Sequence, residues 1–233
     1  MPGNEQYWVV IPAAGIGKRF GGDKPKQYLT INNKTILEYT IDCFINREDI
    51  AGVVVVIADQ DEYWPKLQLN GHNKLMTAPG GHERFNSVCN ALQTLSGKAN
   101  NNDWILVHDA ARPCLKQDAI DRLIAELSGS DIGGILGLPC RDTMKRADNN
   151  KIISKTIERE NLWHAQTPQM FRYEKLLNAL LYAAENDLMI TDEAMALELQ
   201  GEQPKLIEGH PENIKITQTD DFKQAEMYLK WMT

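Results

Sequence analysis

The stretch WVVIPAAGIGKRFGGDKPK, residues 8–26, holds the first structural unit of the chain and the loop that follows it. Residues 8–11 are aromatic or β-branched and predict a strand, which ends at Pro12 and a glycine-containing loop. Further on, Thr35 and Glu38 have the spacing of a capping box and predict a helix that runs to about Asn46. The order strand, loop, helix is the first step of an alternating α/β fold.

The same alternation continues along the next hundred residues. Strand-like apolar runs lie at residues 53–57, 74–78, 104–107 and 133–138, with a short helix expected at 61–69. Two apolar stripes at helical spacing separate the later runs: Val88, Ala91, Leu92, Leu95 and Ile120, Leu123, Ile124, Leu127. This order predicts an α/β protein with a Rossmann-like, mostly parallel sheet and helices on both faces. Because ligands of such folds bind at the carboxyl ends of strands, we expect a site at the loops after Ile11, Ala78, Val107 and Leu138.

The alternation breaks at residues 141–160. This polar segment predicts two strands around the turn-like sequence ADNN at 147–150. It has too few apolar residues for a core of its own, so we expect a protruding β-hairpin arm on a single domain that spans residues 1–233. Helices at 174–185 and 191–199, a strand at 213–217 and a terminal helix capped by Thr219 complete the prediction.

Composition and charge exclude several classes of protein. The 233 residues are 42% hydrophobic and 24% charged, so a buried core is expected and disorder is not. The longest apolar run, residues 53–58, is far shorter than the roughly 20 residues of a membrane helix. The N-terminus lacks the features of a signal peptide, and the dispersed cysteines favour reduced thiols, which together predict a cytoplasmic protein. A formal net charge of −7 argues against general nucleic-acid binding.

The loop at residues 12–26 combines small residues with cations. Small side chains allow the backbone to approach a ligand and direct N–H groups at phosphate oxygens. Lys18, Arg19, Lys24 and Lys26 add positive charge, so we expect an anionic ligand. A dinucleotide fingerprint would need glycine where Phe20 stands, and a phosphate-binding P-loop would need Lys-Ser/Thr where the sequence continues with Asp23.

This loop resembles the signature of the sugar-nucleotide type of nucleotidyltransferases, and its PKQY sequence resembles the cytidylyltransferase branch. Further matches occur in order along the chain: GGHERFNS at 80–87, HDAARP at 108–113, RDTMKR at 141–146, LWHAQTPQ at 162–169, TDE at 191–193 and NIK at 213–215. Together they resemble the family of 2-C-methyl-D-erythritol 4-phosphate cytidylyltransferases. The resemblance implies transfer of CMP from CTP to the phosphate of methylerythritol phosphate, with release of pyrophosphate, in non-mevalonate isoprenoid biosynthesis.

The resemblance also assigns residues to roles. The residues implied to be catalytic are Arg19, Lys26, Arg159 and Lys215, the first two on the triphosphate and the last two on the acceptor phosphate. The residues implied to hold the nucleotide are Pro12, Ala13, Ala14, Gly15, Gly17, Gly81, His82, Arg84 and Ser87. The residues implied to surround the acceptor are Asp109, Arg112, Thr143 and Thr167. The family is dimeric, which implies a homodimer in which the arm at 141–160 completes the neighbouring site.

The expected chemistry needs cations more than a base. A phosphate monoester is already an anionic nucleophile, so the enzyme has to bring two anions together and stabilise charge around the α-phosphorus. The sequence has no evident metal-ligand cluster, so Mg²⁺ is expected to arrive with CTP, and His108 and His164 are expected to be structural. Three alternatives remain at this point: a ribitol 5-phosphate cytidylyltransferase, a regulatory nucleotide-binding domain without catalysis, and a dehydrogenase.

Overall fold

The computed structural model describes residues 5–15 and 24–232. The strands are β1 Tyr7–Pro12, β2 Thr30–Ile31, β3 Lys34–Thr35, β4 Ile50–Ile57, β5 Leu75–Pro79, β6 Trp104–Val107, β7 Gly133–Pro139, β8 Met144–Ala147, β9 Ile153–Ile157, β10 Trp163–Arg172 and β11 Lys205–Glu208. The α-helices are α1 Ile36–Ile45, α2 Arg84–Thr94, α3 Gln117–Leu127, α4 Tyr173–Glu185, α5 Glu193–Glu198 and α6 Thr219–Met232. The helix expected at 61–69 is a single 3-10 turn, Trp64–Lys66.

Seven strands form one sheet in the order β11-β7-β10-β6-β1-β4-β5. All neighbouring pairs are parallel except the two that involve β10, which runs antiparallel to both β6 and β7. The mostly parallel sheet predicted from the alternation is therefore confirmed. A parallel strand is buried on both faces, which is why β4 is almost entirely apolar.

Helices cover both faces of this sheet. Side chains alternate along β1, so Val9 and Ile11 pack with α1 and α3, whereas Trp8 and Val10 pack with α2, α4 and α5. The predicted capping box at the start of α1 is present: Thr35 accepts from the N–H of Glu38, and the Glu38 carboxylate accepts from the N–H of Thr35. Two helical layers around one sheet are the predicted architecture.

The sequence prediction also differs from the structure at other elements. It missed β10 and β11, although β10 is the longest strand of the sheet. Residues 213–217 form no strand in the described structure, because their hydrogen bonds go to loops and side chains instead of a neighbouring strand. Thr219 is the first residue of α6 and not its cap, because the Asp221 carboxylate accepts the preceding N–H groups of Thr217 and Gln218.

Strands β8 and β9, which lie within residues 141–160, form a separate two-stranded antiparallel sheet. Most of its side chains are exposed, and Ile152 and Ile153 at the turn are 64% and 60% exposed. Within the described residues, these two strands pair only with each other. A two-stranded hairpin is at best marginally stable alone in water.

Among the helices that the structure describes, none combines the length and the apolar content needed to cross a membrane.

Candidate functional site

A cleft of about 800 Å³ opens at the carboxyl ends of β1, β5 and β6. Its lining comes from the loops after these strands, from the turn after Pro25 and from the segment before α6. The lining residues are Pro12, Ala13, Ala14, Gly15, Lys26, Gln27, Gly81, His82, Glu83, Arg84, Ser87, Asp109, Ala110, Ala111, Lys215 and Thr217. Three of the four loops expected at the site contribute to this cleft, whereas the loop after β7 does not.

One wall is the backbone that follows β1. The side-chain amide of Gln27, itself buried, donates to the carbonyl oxygens of Ala13 at 2.6 Å and Gly15 at 3.1 Å. The N–H of Ala13 donates to the carbonyl of Val56 at 2.8 Å. This wall is therefore held by bonds to two of its carbonyl oxygens and one of its N–H groups.

The opposite wall is the turn between β5 and α2. The N–H of Gly81 donates to the Ser87 hydroxyl at 3.0 Å, and a Cβ on Gly81 would lie 2.4 Å from Cβ of Asn86. Only glycine allows the turn to fold this closely onto the first turn of α2. The His82 side chain is 92% exposed and stands in the mouth of the cleft.

Three cations converge on Asp109, which is the second residue after β6 and follows His108. The Asp109 carboxylate lies 3.0 Å from Nζ of Lys215, 3.1 Å from Nε of Arg112 and 3.5 Å from a terminal nitrogen of Arg84. Burial by itself would raise the pKa of this carboxyl, but the charges of Arg84, Lys215 and Arg112 outweigh burial and hold the pKa well below its usual range. Asp109 is therefore a fixed anion throughout the neutral range.

Arg84 is itself fixed from the far side by Glu193. Its guanidinium makes two hydrogen bonds to the Glu193 carboxylate, at 2.6 and 3.1 Å, and Glu193 is completely buried at the start of α5. Burial lowers the pKa of Arg84, but the charges of Glu193 and Asp109 raise it more, so the side chain stays charged. A bidentate pair restricts the guanidinium plane as well as its position.

The segment at 213–217 binds Lys26 and Arg112 and carries Lys215, which together with Asp109 forms the floor of the cleft. Nζ of Lys26 donates to the Ile216 carbonyl at 2.8 Å, and Arg112 donates to the Asn213 carbonyl at 2.6 Å. Lys215, between these two carbonyls, reaches Asp109. The backbone of this segment therefore places one cation and anchors two others.

The structure brings together most of the residues singled out from the sequence. Arg112 and Thr167 do not line the cleft; Arg112 binds Asp109 from the side, and Thr167 is buried behind it with its hydroxyl 3.1 Å from the N–H of Asp109. Thr143 and Arg159 are exposed beside the β8–β9 hairpin, and Arg159 bonds to the Arg141 carbonyl. Arg19 and Gly17 lie outside the described residues.

Two residues that hold other site residues in place, Gln27 and Glu193, were not selected from the sequence. Gln27 follows Lys26 in the quoted PKQY motif, and Glu193 ends the quoted TDE motif. Their motifs were noticed, but a glutamine and a glutamate carry no sign in the sequence that each holds another site residue. Their contacts span 12 to 14 residues and 109 residues of chain, respectively.

No group of three or more histidine, cysteine or acidic side chains with a geometry for a metal ion occurs among residues 5–15 and 24–232. The cleft offers the carboxylates of Asp109 and Glu83. Mg²⁺ is commonly bound by one or two carboxylates together with substrate phosphates, so this donor set fits a metal ion that enters with a triphosphate.

Comparisons with known proteins show the family of the chain. The family model described as 2-C-methyl-D-erythritol 4-phosphate cytidylyltransferase matches residues 7–231. An enzyme of that name from Pseudomonas putida is 48% identical over 93% of this chain and 93% of its own. An enzyme of that name from Vibrio vulnificus is 49% identical over 95% of this chain and 93% of its own. The crystal structure of the Francisella tularensis enzyme of that name has a TM-score of 0.85 and 40% identity, covering 96% of this chain and 100% of that one.

The motif resemblance, the fold and the function that they implied are therefore confirmed. The chain belongs to the family of 2-C-methyl-D-erythritol 4-phosphate cytidylyltransferases, enzymes that carry out CTP-dependent cytidylyl transfer in isoprenoid biosynthesis.

Proposed function

We propose that this cleft binds CTP between the backbone walls at residues 12–15 and 81–87, and that the acceptor phosphate enters beside Asp109 and Lys215. The observation that carries the proposal is the set of cations around one fixed carboxylate at the end of a core strand, with Lys26 tied to the same segment as Lys215. The substrate pair is CTP and methylerythritol phosphate. The ribitol 5-phosphate alternative is less well supported, because the matched relatives carry the methylerythritol name.

The reaction is a displacement at the α-phosphorus of CTP. An oxygen of the acceptor phosphate forms a bond to that phosphorus, the bond to the bridging oxygen of the β-phosphate breaks, and pyrophosphate leaves with the electron pair. The nucleophile needs no proton removed, so the protein contributes positioning and positive charge. Lys26 supplies charge on the triphosphate side, together with Arg19.

Cytosine recognition is assigned to backbone groups. The walls include Ala14, Gly15 and Gly81, whose small side chains allow a base to approach the main chain closely. Main-chain N–H and C=O groups at fixed positions can distinguish the hydrogen-bonding edge of one base from another. Ser87 supports the Gly81 wall, while His82 contributes its backbone and an exposed ring.

Acceptor binding is assigned to the floor. Asp109 accepts hydrogen bonds from acceptor hydroxyl groups, and Lys215 pairs with its phosphate. Mg²⁺ bound to the triphosphate would neutralise part of its charge, with Asp109 as the nearest core carboxylate of the protein. We place the reaction in the cytoplasm, where CTP is available.

We also propose a homodimer in which the hairpin at 141–160 reaches the partner's cleft. Thr143 and Arg159 match the acceptor positions of the family, yet neither lines the cleft of its own chain. The hairpin exposes Ile152 and Ile153 and has no core of its own, so a two-fold partner would cover it and bring these residues to a site.

Subunit complementation tests this arrangement. Lys26→Ala and Arg159→Ala subunits are each inactive or weak alone and are co-expressed with different affinity tags. If Arg159 acts in the partner's cleft, a mixed dimer has one doubly damaged site and one intact site, and random pairing restores roughly a quarter of wild-type activity.

No recovery in the mixture would place Arg159 in its own chain's site. A monomer by light scattering at the assay concentration would reject the dimer directly. Titration of CTP binding to Arg159→Ala and Lys215→Ala separates the substrates: the acceptor KM should rise while CTP affinity holds, and equal weakening would move these residues to the nucleotide side.

A further inference from the structure

His108 is the last residue before Asp109 and is completely buried. Its ring packs edge-on against Phe44, with centroids 5.3 Å apart. Both ring nitrogens have polar partners: Nε2 lies 3.1 Å from the Arg112 carbonyl oxygen, and Nδ1 lies 2.9 Å from the Thr167 hydroxyl. The reaction proposed above gives this histidine no role, because the nucleophile needs no base.

The partners determine where the protons lie. A carbonyl oxygen can only accept, so Nε2 of His108 must carry the proton and donate to Arg112. Burial lowers the pKa of His108 to about 4, so the ring is neutral and Nδ1 is an acceptor. The Thr167 hydroxyl must therefore donate to Nδ1, and its oxygen accepts the N–H of Asp109 at 3.1 Å.

The result is a directed chain of three hydrogen bonds that begins and ends beside the acceptor site. It runs from the Asp109 N–H to Thr167, from Thr167 to His108, and from His108 to the Arg112 carbonyl. Asp109 and Arg112 are also joined through their side chains, at 3.1 Å. Both ends of the HDAARP turn are thus held by a residue that substrate cannot reach.

We infer that His108 is a positioning residue for cytidylyl transfer, which fixes Asp109 and Arg112 toward the acceptor through Thr167 and the Arg112 carbonyl. The inference rests on the proposed function, because it assumes that Asp109 contacts the acceptor. It also gives Thr167 a second role: its only hydroxyl proton is committed to His108, so any contact with substrate uses a lone pair.

The test is a double-mutant cycle on His108→Phe and Thr167→Val, with kinetics for both substrates. Phenylalanine keeps a ring against Phe44 but removes both hydrogen bonds. We expect His108→Phe to lower kcat/KM for methylerythritol phosphate by about 10–100-fold, the usual effect of losing a residue that orients a ligand-contacting group, with the KM for CTP changed less than about twofold. His108→Asn, whose side-chain oxygen can accept from Thr167, should recover part of this loss.

The cycle separates positioning from general loss of stability. Once Thr167→Val has removed the route from His108 to the Asp109 N–H, adding His108→Phe removes only the bond to the Arg112 carbonyl and should cost less than it does in the wild type. Leu123→Ala, a cavity variant in the core on the same side of the sheet, serves as the control that lowers stability without raising the acceptor KM.

A folded His108→Phe enzyme with acceptor kcat/KM within about twofold of wild type would overturn the inference, and so would multiplicative effects in the cycle. If His108→Phe does not fold, Thr167→Val and Thr167→Ser decide: a loss in Val restored by Ser supports the chain, and no loss in either overturns it. Asp109→Asn separates the two proposals. If this variant still uses the acceptor normally, the proposed function has failed at Asp109, whereas a loss in Asp109→Asn without any loss in His108→Phe shows that the positioning by His108 alone has failed.

Discussion

Replacement of Glu193 by glutamine should destabilise the protein although the new side chain has nearly the same shape. Glu193 accepts two hydrogen bonds from Arg84, at 2.6 and 3.1 Å. Glutamine keeps one oxygen acceptor but turns an N–H₂ group toward a guanidinium donor, so one bond becomes a contact between two donors. The variant also leaves Arg84 without its main buried counter-charge.

The magnitude follows from the burial of the pair. Breaking a buried ion pair by removing one partner costs about 3–5 kcal/mol. Glu193 is fully buried, but the Arg84 side chain is 31% exposed and still has Asp109 within 3.5 Å, so the remaining charge is partly solvated and partly paired. We therefore expect a loss of about 2–3 kcal/mol, which for a domain of this length lowers Tm by about 4–12 °C.

Scanning calorimetry and urea unfolding measure this loss directly. Glu198→Gln, an exposed substitution of the same type on the same helix, is the matched control and should change stability by less than about 0.5 kcal/mol. The acceptor KM should rise in Glu193→Gln only, because Arg84 loses its orientation toward Asp109. A Tm within about 1 °C of wild type would refute the reasoning that this pair holds the floor of the cleft.

Three further predictions concern other parts of the site. Lys26→Ala should lower kcat by about 10²-fold, or roughly 3 kcal/mol of transition-state stabilisation. The control is Lys34→Ala, because the Lys34 ammonium pairs with Asp42 away from the cleft, and this variant should keep its kcat. Steady-state pyrophosphate release compares the two variants, and a near-native kcat for Lys26→Ala would contradict the assignment. Gln27→Leu removes the hydrogen bonds to the Ala13 and Gly15 carbonyls and should weaken CTP binding about tenfold in calorimetric titration. An unchanged affinity would show that this backbone keeps its conformation without Gln27. The pKa of His108 is about 4 in the folded protein and near 6.5 in the unfolded chain, so the unfolded chain binds more protons and stability falls as the pH drops from 6.5 to 4. Relative to His108→Phe, the wild type should lose about 3 kcal/mol of unfolding free energy over this pH range in urea unfolding, and parallel pH profiles of the two proteins would contradict this.

The alternation of apolar runs was enough to predict the sheet, its faces and three of the loops that form the cleft. These predictions rest on local periodicity, which reports whether a segment is buried on one face or two. Strand β10 was missed because LWHAQTPQ at 162–169, which covers seven of its ten residues, contains polar residues and a proline. Its pairing to β7 also shifts register between Ala165 and Gln169. Only its neighbours in the sheet determine that this segment is a strand.

The site residues, too, include some that local sequence indicates and others that only distant contacts determine. The basic glycine-containing loop and HDAARP have the residue types that phosphate chemistry needs, so the sequence indicated Lys26 and Asp109 directly. Residues that act by holding others gave no such sign, because Glu193 meets Arg84 across 109 residues. Lys215 was assigned through its motif, yet the strand predicted around it is wrong, since residues 213–217 satisfy their backbone through Ala111, Lys26 and Arg112.

Substrate selectivity tests the central claim most directly. Pyrophosphate release is measured with purified wild-type protein and Mg²⁺, using CTP, UTP, ATP or GTP with methylerythritol phosphate, and CTP with ribitol 5-phosphate. We expect release with CTP and methylerythritol phosphate at a kcat/KM at least about tenfold above every other combination, together with formation of the cytidine diphosphate ester of the acceptor. Equal or faster release with another nucleoside triphosphate, or with ribitol 5-phosphate, would contradict it.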